Sequence, residues 1–403
     1  MSDVNRSTGT TTRITGPGET GPPPASAEDF ADRLLGATLG AIDTLAVYVG
    51  DALGWYRALD EYGPVTAAEL AAATGTAERY AREWLEQQAA AGILLAHEPD
   101  PSTDGSPAAR SAARRFELPE AHAEVLADPE SLSYLAPLAR FVGAVGPQLP
   151  RLLHSYRTGG GVSWDQLGDD ARHAQADVNR PWFDHRLASV LAAIEPVRAV
   201  LSRPGARVVD IGCGFGWSTL ALARAFPTAE LHGVDLDRPS VEAARVAAAQ
   251  RGLEERVTFH LSDAAELRTA EPFDAAFAFE CLHDMPRPVA VLEAIRKSMR
   301  PDGVVVVMDE AVADEFQAPA DDVDRIMYGY SLFVCLPDSL SSWPSAATGT
   351  VMRPATLRRY ALEAGFTGVE VLPVDDFGFF RFYRLLLGPE GGRTMAGEDG
   401  LPE

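Results

Sequence analysis

RVVDIGCGFG, residues 207–216, is the stretch on which the reading of this chain turns. The apolar run Val208, Val209 and Ile211 reads as a buried strand. It stops at a turn built from Gly212, Gly214 and Gly216, and the helix-like WSTLALARAF (217–226) follows at once. Glycines at a strand-to-helix turn allow positive φ and let a ligand lie against bare main chain. Asp210 sits inside the strand end, and a second apolar strand, ELHGVDLD, brings Asp235 to its tip, 23 residues beyond Gly212. An acidic side chain in that place accepts hydrogen bonds from a ribose diol. A dinucleotide site would need GxGxxG with its third glycine inside the helix. Here the residue three after Gly216 is Thr219, so that pattern fails.

Further motifs follow in order: LSDAAEL (261–267), FDAAFAFECLHDMPRP (273–288) and MRPDGVVVVMDE (299–310). Together with DIGCGFG they resemble the class I S-adenosylmethionine-dependent methyltransferases over residues 180–388. The resemblance implies an α/β fold, with a Rossmann-like seven-stranded methyltransferase sheet. It implies S-adenosyl-L-methionine as cofactor, held by Asp210, Gly212, Gly214, Gly216, Asp235, Leu236, Asp263, Ala264 and Glu280. Asp235 would bind the ribose, Asp263 the adenine amino group, and Glu280 the methionine end or a proton as a second base.

The small-molecule O-methyltransferases that this region resembles carry their base in an HDW sequence. The chain has His283-Asp284-Met285 there, which implies His283 as the general base. A histidine suits proton removal because it titrates near neutral pH. Glu310, after the fifth strand, would orient His283 or act with it, and Asp284 either orients the imidazole or caps the next helix. Thr348–Pro354, with ECLHDMP and MDE, also resembles actinobacterial methyltransferase-like proteins that carry a winged-helix domain.

The chain of 403 residues, 46% apolar, has room for two domains. Its formal charge of −23 argues against nucleic acid or an anionic membrane as partner. Cys213, Cys281 and Cys335 are widely spaced, which suits a reducing compartment and no structural metal. His154, His173, His185 and His260 show no metal-ligand spacing, and no metal is expected. No stretch reads as a membrane span or as a secretion signal, so a cytoplasmic protein is expected.

Residues 1–27 read as a disordered arm, and 389–403 as a disordered tail. Residues 28–127 read as a mostly α winged-helix domain. Thr66 is placed to cap one helix, Thr74-Gly75-Thr76 turns into the next, and ILLAHE and RRFEL form a wing separated by a polar loop over 99–114. Residues 128–200 read as a helical linker and pocket roof, with a flexible glycine triplet at 159–161 and with Trp182, Phe183 and His185 as candidate pocket residues. Residues 201–388 form the cofactor-binding domain. Within it an insertion over 310–353 offers Tyr328, Tyr330, Phe333 and Trp343 to a small-molecule acceptor.

Two uses of the winged helix stand open. One is homodimerisation through apolar helices over 30–59, as the resemblance implies. The other is DNA binding by a ligand-sensing transcription regulator with a methyltransferase-like fold. The second helix carries Glu78, Arg79, Arg82, Glu83 and Glu86, a net −1, which favours the dimer. Arg110, Arg114 and Arg115 on the wing keep the DNA reading open.

Overall fold

The computed structural model describes residues 26–99 and 105–388. The expected arm and tail lie outside the described residues, apart from Ser26 and Ala27. Ser26 caps the helix Ala27–Ala52, its side chain accepting from the Asp29 N–H. The chain divides into two compact units. The first runs to Ser189 and takes in Glu315–Val351 and Asp376–Phe379; the second comprises Val190–Asp314, Met352–Asp375 and the segment from Phe380.

In the first unit, the helical pattern expected to run on from Asp29 breaks at Gly54, whose φ of 70° starts a new helix, Trp55–Tyr62. Thr66 and Glu69 form a reciprocal capping box on helix Ala67–Thr74, and Gly75 closes it in the left-handed conformation. Helix Glu78–Ala90 follows. Strands β1 (Leu95–His97) and β2 (Arg115–Glu117) pair antiparallel as the wing. Trp55, Tyr56, Leu59, Leu70, Leu85 and Phe116, all nearly inaccessible, make the core beneath. The polar loop expected between the wing strands holds a further helix, Pro107–Ala113. Ser106 caps it and Pro107 opens it, a start signal stronger than the surrounding loop composition.

The glycine triplet has a packing role that a flexible break would not supply. Gly159 ends helix Leu149–Thr158 at φ 81°. A Cβ on Gly161 would lie 2.1 Å from the Pro337 carbonyl oxygen and 2.3 Å from the Ser341 nitrogen. Only a bare backbone fits there.

The second unit is built on seven strands: β3 (Arg207–Ile211), β4 (Glu230–Asp235), β5 (Val257–Leu261), β6 (Phe273–Phe279), β7 (Met299–Glu310), β8 (Gly368–Val371) and β9 (Phe380–Leu386). Their order across the sheet is β5-β4-β3-β6-β7-β9-β8, with β9 antiparallel to both neighbours. Every residue of β6 is buried, as is β7 from Val304 to Glu310, which suits central strands covered on both faces. Strand order reverses beside β3, so β3, β4 and β6 all end next to the crevice where such sheets bind ligands.

Candidate active site at the strand ends

Asp210, 1% exposed, accepts hydrogen bonds at Oδ2 from Ser218 Oγ and Thr219 Oγ1, each at 2.6 Å. These bonds fasten the end of β3 to the helix Trp217–Ala225. Burial pushes the Asp210 carboxyl up to about 6, against the two hydroxyls that favour its charge. Its side chain is taken up with holding the loop. Gly212 shows why the turn is bare: at φ 66° a Cβ would stand 2.6 Å from the Cβ of Cys281. Gly216 precedes the helix at φ 80°.

The tip of β4 supports the same loop. Asp235 Oδ2 accepts from Gly214 N and Oδ1 from Asp237 N, both at 2.8 Å. Burial raises its pKa above the usual carboxylate range, opposed by those backbone bonds. Leu236 beside it is 71% exposed, a large apolar side chain standing at the crevice edge. After β5, Asp263 Oδ1 accepts from Ala265 N and caps the short turn Ala264–Glu266, while its Oδ2 pairs with Arg287. Ala264 is buried.

Beyond β6, Glu280 adopts φ 51°, unusual for a residue with a side chain, and its N–H donates to Met308 O on β7. Strain of this kind clusters at functional sites. That bond ties the β6 end to the last residues of β7. His283, 1% exposed, lies in the loop between them. Its Nδ1 is 3.0 Å from Asp309 Oδ1 and 3.3 Å from Glu310 Oε2, and its Nε2 is 3.3 Å from Asp284 Oδ1.

Burial alone would discharge this imidazole, but Glu310, Asp284 and Asp309 outweigh it and hold its pKa well above the histidine range. Burial likewise opposes charge on Asp309, and the imidazolium prevails, keeping that carboxyl below its usual range. Burial, reinforced by the charge of Asp309, pushes the Glu310 carboxyl well above the usual carboxylate range, against the pull of His283. His283, Asp309 and Glu310 offer ligand atoms within 4.8 Å of one another, near enough for a cation.

Sequence reasoning placed His283 and Glu310 together and missed Asp309, the nearer partner of Nδ1. Its signal is the adjacent acid pair in MDE at a strand end. It also missed Cys281, whose thiol donates to Ile211 O at 3.1 Å and joins the β6 loop to the glycine turn. Trp182 and Phe183 pack at a tilt against Phe377, and His185 pairs with Glu130. Tyr330 packs on Phe141, whereas Phe333 is 40% and Trp343 91% exposed.

In the winged helix, most of the cations a DNA backbone would seek already have carboxylate partners, whereas Arg110 donates to the Gly105 carbonyl. Arg79 pairs with Glu83, Arg82 with Glu78, Arg114 with Glu86 and Glu98, and Arg115 with Glu69. Helix Ala27–Ala52 is different. By length and composition alone it is apolar enough to cross a membrane. Phe30, Leu34, Leu35, Leu39, Ile42, Leu45 and Val49 form one exposed stripe, while Asp32, Arg33 and Asp43 interrupt the apolar run. That helical periodicity makes the helix amphipathic.

Comparison with known proteins agrees with this architecture. A family described as "Methyltransferase domain" matches residues 202–339, and one described as "Rv2258c-like winged HTH domain" matches residues 41–128. A 27-O-demethylrifamycin SV methyltransferase of Amycolatopsis mediterranei (strain S699) is 30% identical over 167 residues, 40% of this chain and 59% of that protein. The chain thus spans less than two thirds of the curated relatives it matches first. The solved mitomycin 7-O-methyltransferase MmcR is 25% identical, with a TM-score of 0.64 over 90% of this chain and 99% of its own. An O-methyltransferase from neocarzinostatin biosynthesis, NcsB1, shares the fold at 22% identity and a TM-score of 0.54, covering 86% and 96% of the two chains. Residues 202–339 are therefore a methyltransferase domain, carried behind a winged helix-turn-helix domain of the Rv2258c-like kind at residues 41–128.

Proposed function

We propose that this protein transfers a methyl group from S-adenosylmethionine to a hydroxyl of a small molecule, as an O-methyltransferase of secondary metabolism. The observation that carries the reading is the pairing of the glycine turn with Asp235. Its Gly214, with open space where a Cβ would stand, leaves room for a ligand against main chain, and its acidic tip suits a ribose. NcsB1 was solved with S-adenosylmethionine and 2-hydroxy-5-methyl naphthoic acid, which supports both the cofactor and an aromatic acceptor.

In this reading Asp210 and the glycines shape the loop, Asp235 holds the ribose, and Leu236, Asp263 and Ala264 flank the adenine. Glu280 faces the methionine end. The cofactor supplies an electrophilic methyl on a sulfonium, so the protein's own tasks are to orient the acceptor and to receive its proton. His283 and Glu310, with Asp284 and Asp309, form the cluster that manages that proton. No metal is required. Incubating the protein and a trideuteromethyl cofactor with a panel of phenols, enols and hydroxyquinones tests the reading. Mass spectrometry should find one labelled methyl on an oxygen, and label on no member of the panel would contradict it.

The stripe on Ala27–Ala52 supports a homodimer, since half-exposed apolar side chains gain about 1 kcal/mol or more each on burial. The paired wing cations and the overall acidity argue against the DNA-binding alternative. Free cysteines suit the cytoplasm. Light scattering should give twice the 43.1 kDa chain mass, and Leu35→Glu with Leu39→Glu should halve it; a wild-type monomer at every concentration contradicts the dimer.

A further inference from the structure

We infer that Arg287 is a positioning residue for the adenine end of the cofactor: it holds the Asp263 carboxylate where that carboxylate receives the adenine amino group, and so sets the preference for adenine over a purine with a carbonyl at that carbon. The inference rests on the cofactor reading above. Every residue it uses lies in the second compact unit.

The first support is placement. β4 and β5 are paired so that Asp235 faces Leu261, and Ser262 N donates to Asp235 O at 2.9 Å. Asp263 follows directly, at the end of the strand on the sheet edge. A nucleoside whose ribose is held at Asp235 and whose base turns toward β5 presents that base to Asp263.

The second support is that both carboxylate oxygens are held. Oδ1 accepts from Ala265 N at 2.8 Å, and Oδ2 accepts from Arg287 Nη2. Two donors on different oxygens fix the carboxylate plane, and each oxygen keeps a further lone pair for a ligand. The third is that Arg287 is misplaced for its own helix. It stands at the cap of Pro288–Lys297 and makes no side-chain cap bond. That position calls for a side-chain acceptor, and the positive end of the helix dipole disfavours a cation. Pro286 and Pro288 on either side restrict its backbone. Arg287 thus breaks the local rule on a stiff backbone and serves Asp263 instead, a conflict expected at functional positions.

Recognition follows from donor and acceptor chemistry. Adenine presents an amino donor, which the carboxylate accepts. Hypoxanthine has a carbonyl oxygen at the same carbon, which sets acceptor against acceptor. A carboxylate free to rotate turns away from that oxygen and loses the contrast; one held by Arg287 keeps it.

Isothermal titration of the full chain with S-adenosylhomocysteine and with its deaminated analogue, S-inosylhomocysteine, tests this. Wild type should bind the adenine ligand about 10–100-fold more tightly. Asp263→Ala should abolish that preference. Arg287→Ala should lower it at least about threefold, and should change nothing further in the Asp263→Ala background. The preference is a ratio taken within one variant, so a partly unfolded or generally weakened protein leaves it unmoved. A wild type that binds both ligands alike, an Arg287→Ala ratio equal to wild type, or an effect of Arg287→Ala that persists without Asp263 overturns the inference and leaves cofactor binding standing. A wild type that binds neither ligand sinks the cofactor reading beneath it.

Discussion

Asp210 and Asp235, at the ends of β3 and β4, are satisfied by neutral donors: two hydroxyls for the first and two backbone amides for the second. At the ends of β6 and β7, Asp309 Oδ1 instead takes the His283 ring and the Glu310 N–H, while Asp309 Oδ2 and Glu310 Oε2 are buried without a hydrogen-bond partner among the described residues. The first region fixes the shape of a loop and leaves its carboxylates to neutral partners. The second concentrates three carboxylates around one cation, so that its protonation state is set by the group as a whole. In the proposed function the first region holds the cofactor and the second manages the acceptor's proton.

The comparison breaks most readily at the cation. His283→Ala removes the only positive charge among buried Asp309, Glu310 and half-buried Asp284. Unfolding in urea should show a loss of about 3–5 kcal/mol. A loss below about 1 kcal/mol would mean that the two regions differ less than their geometry implies. In the other region, Asp235→Ala removes the acceptor of the Gly214 and Asp237 N–H groups and should weaken cofactor binding about 10²-fold or more, as charge-assisted bonds of ~1.5–3 kcal/mol each are lost. Calorimetry on the variant checks this, and unchanged affinity would remove Asp235 from the site.

Asp210 gives a pH signature. Its folded pKa of about 6 lies above the ordinary 3.8, so the folded state binds this proton more tightly than the unfolded chain does. The stability it contributes is complete below about pH 4 and is lost as pH rises through about 6, at most about 3 kcal/mol. Asp210→Asn should flatten that part of the stability profile measured by urea unfolding, and an unaltered slope would assign it elsewhere. Gly212→Ala probes the seam between the two regions. Its Cβ would meet Cys281 at 2.6 Å, and thermal or urea unfolding should show a loss of about 1–3 kcal/mol; the wild-type value would mean that the β6 loop yields freely.

The first region was legible because its parts are local. Gly212 through Thr219 and the acid at the end of the next strand are read in one pass, as is the Thr66–Glu69 capping box. The second was half legible. His283 and Asp309 are 26 residues apart, and only the β6–β7 register, sealed by Glu280 N to Met308 O, brings them together. Sequence shows two adjacent acids in MDE but not which of them reaches the ring. Nor does it show that Asp284, Asp309 and Glu310 all stand within 3.3 Å of the ring nitrogens. Gly161 was misread for a related reason: its constraint comes from Pro337 and Ser341, far along the chain.

The central claim is that the glycine turn and Asp235 bind S-adenosylmethionine. Isothermal titration of the wild-type chain with that cofactor, alongside Asp235→Ala, tests it most directly. The account predicts saturable binding at one site per chain, lost or weakened about 10²-fold in the variant. Absence of binding to the wild type, or binding that Asp235→Ala leaves untouched, would contradict it.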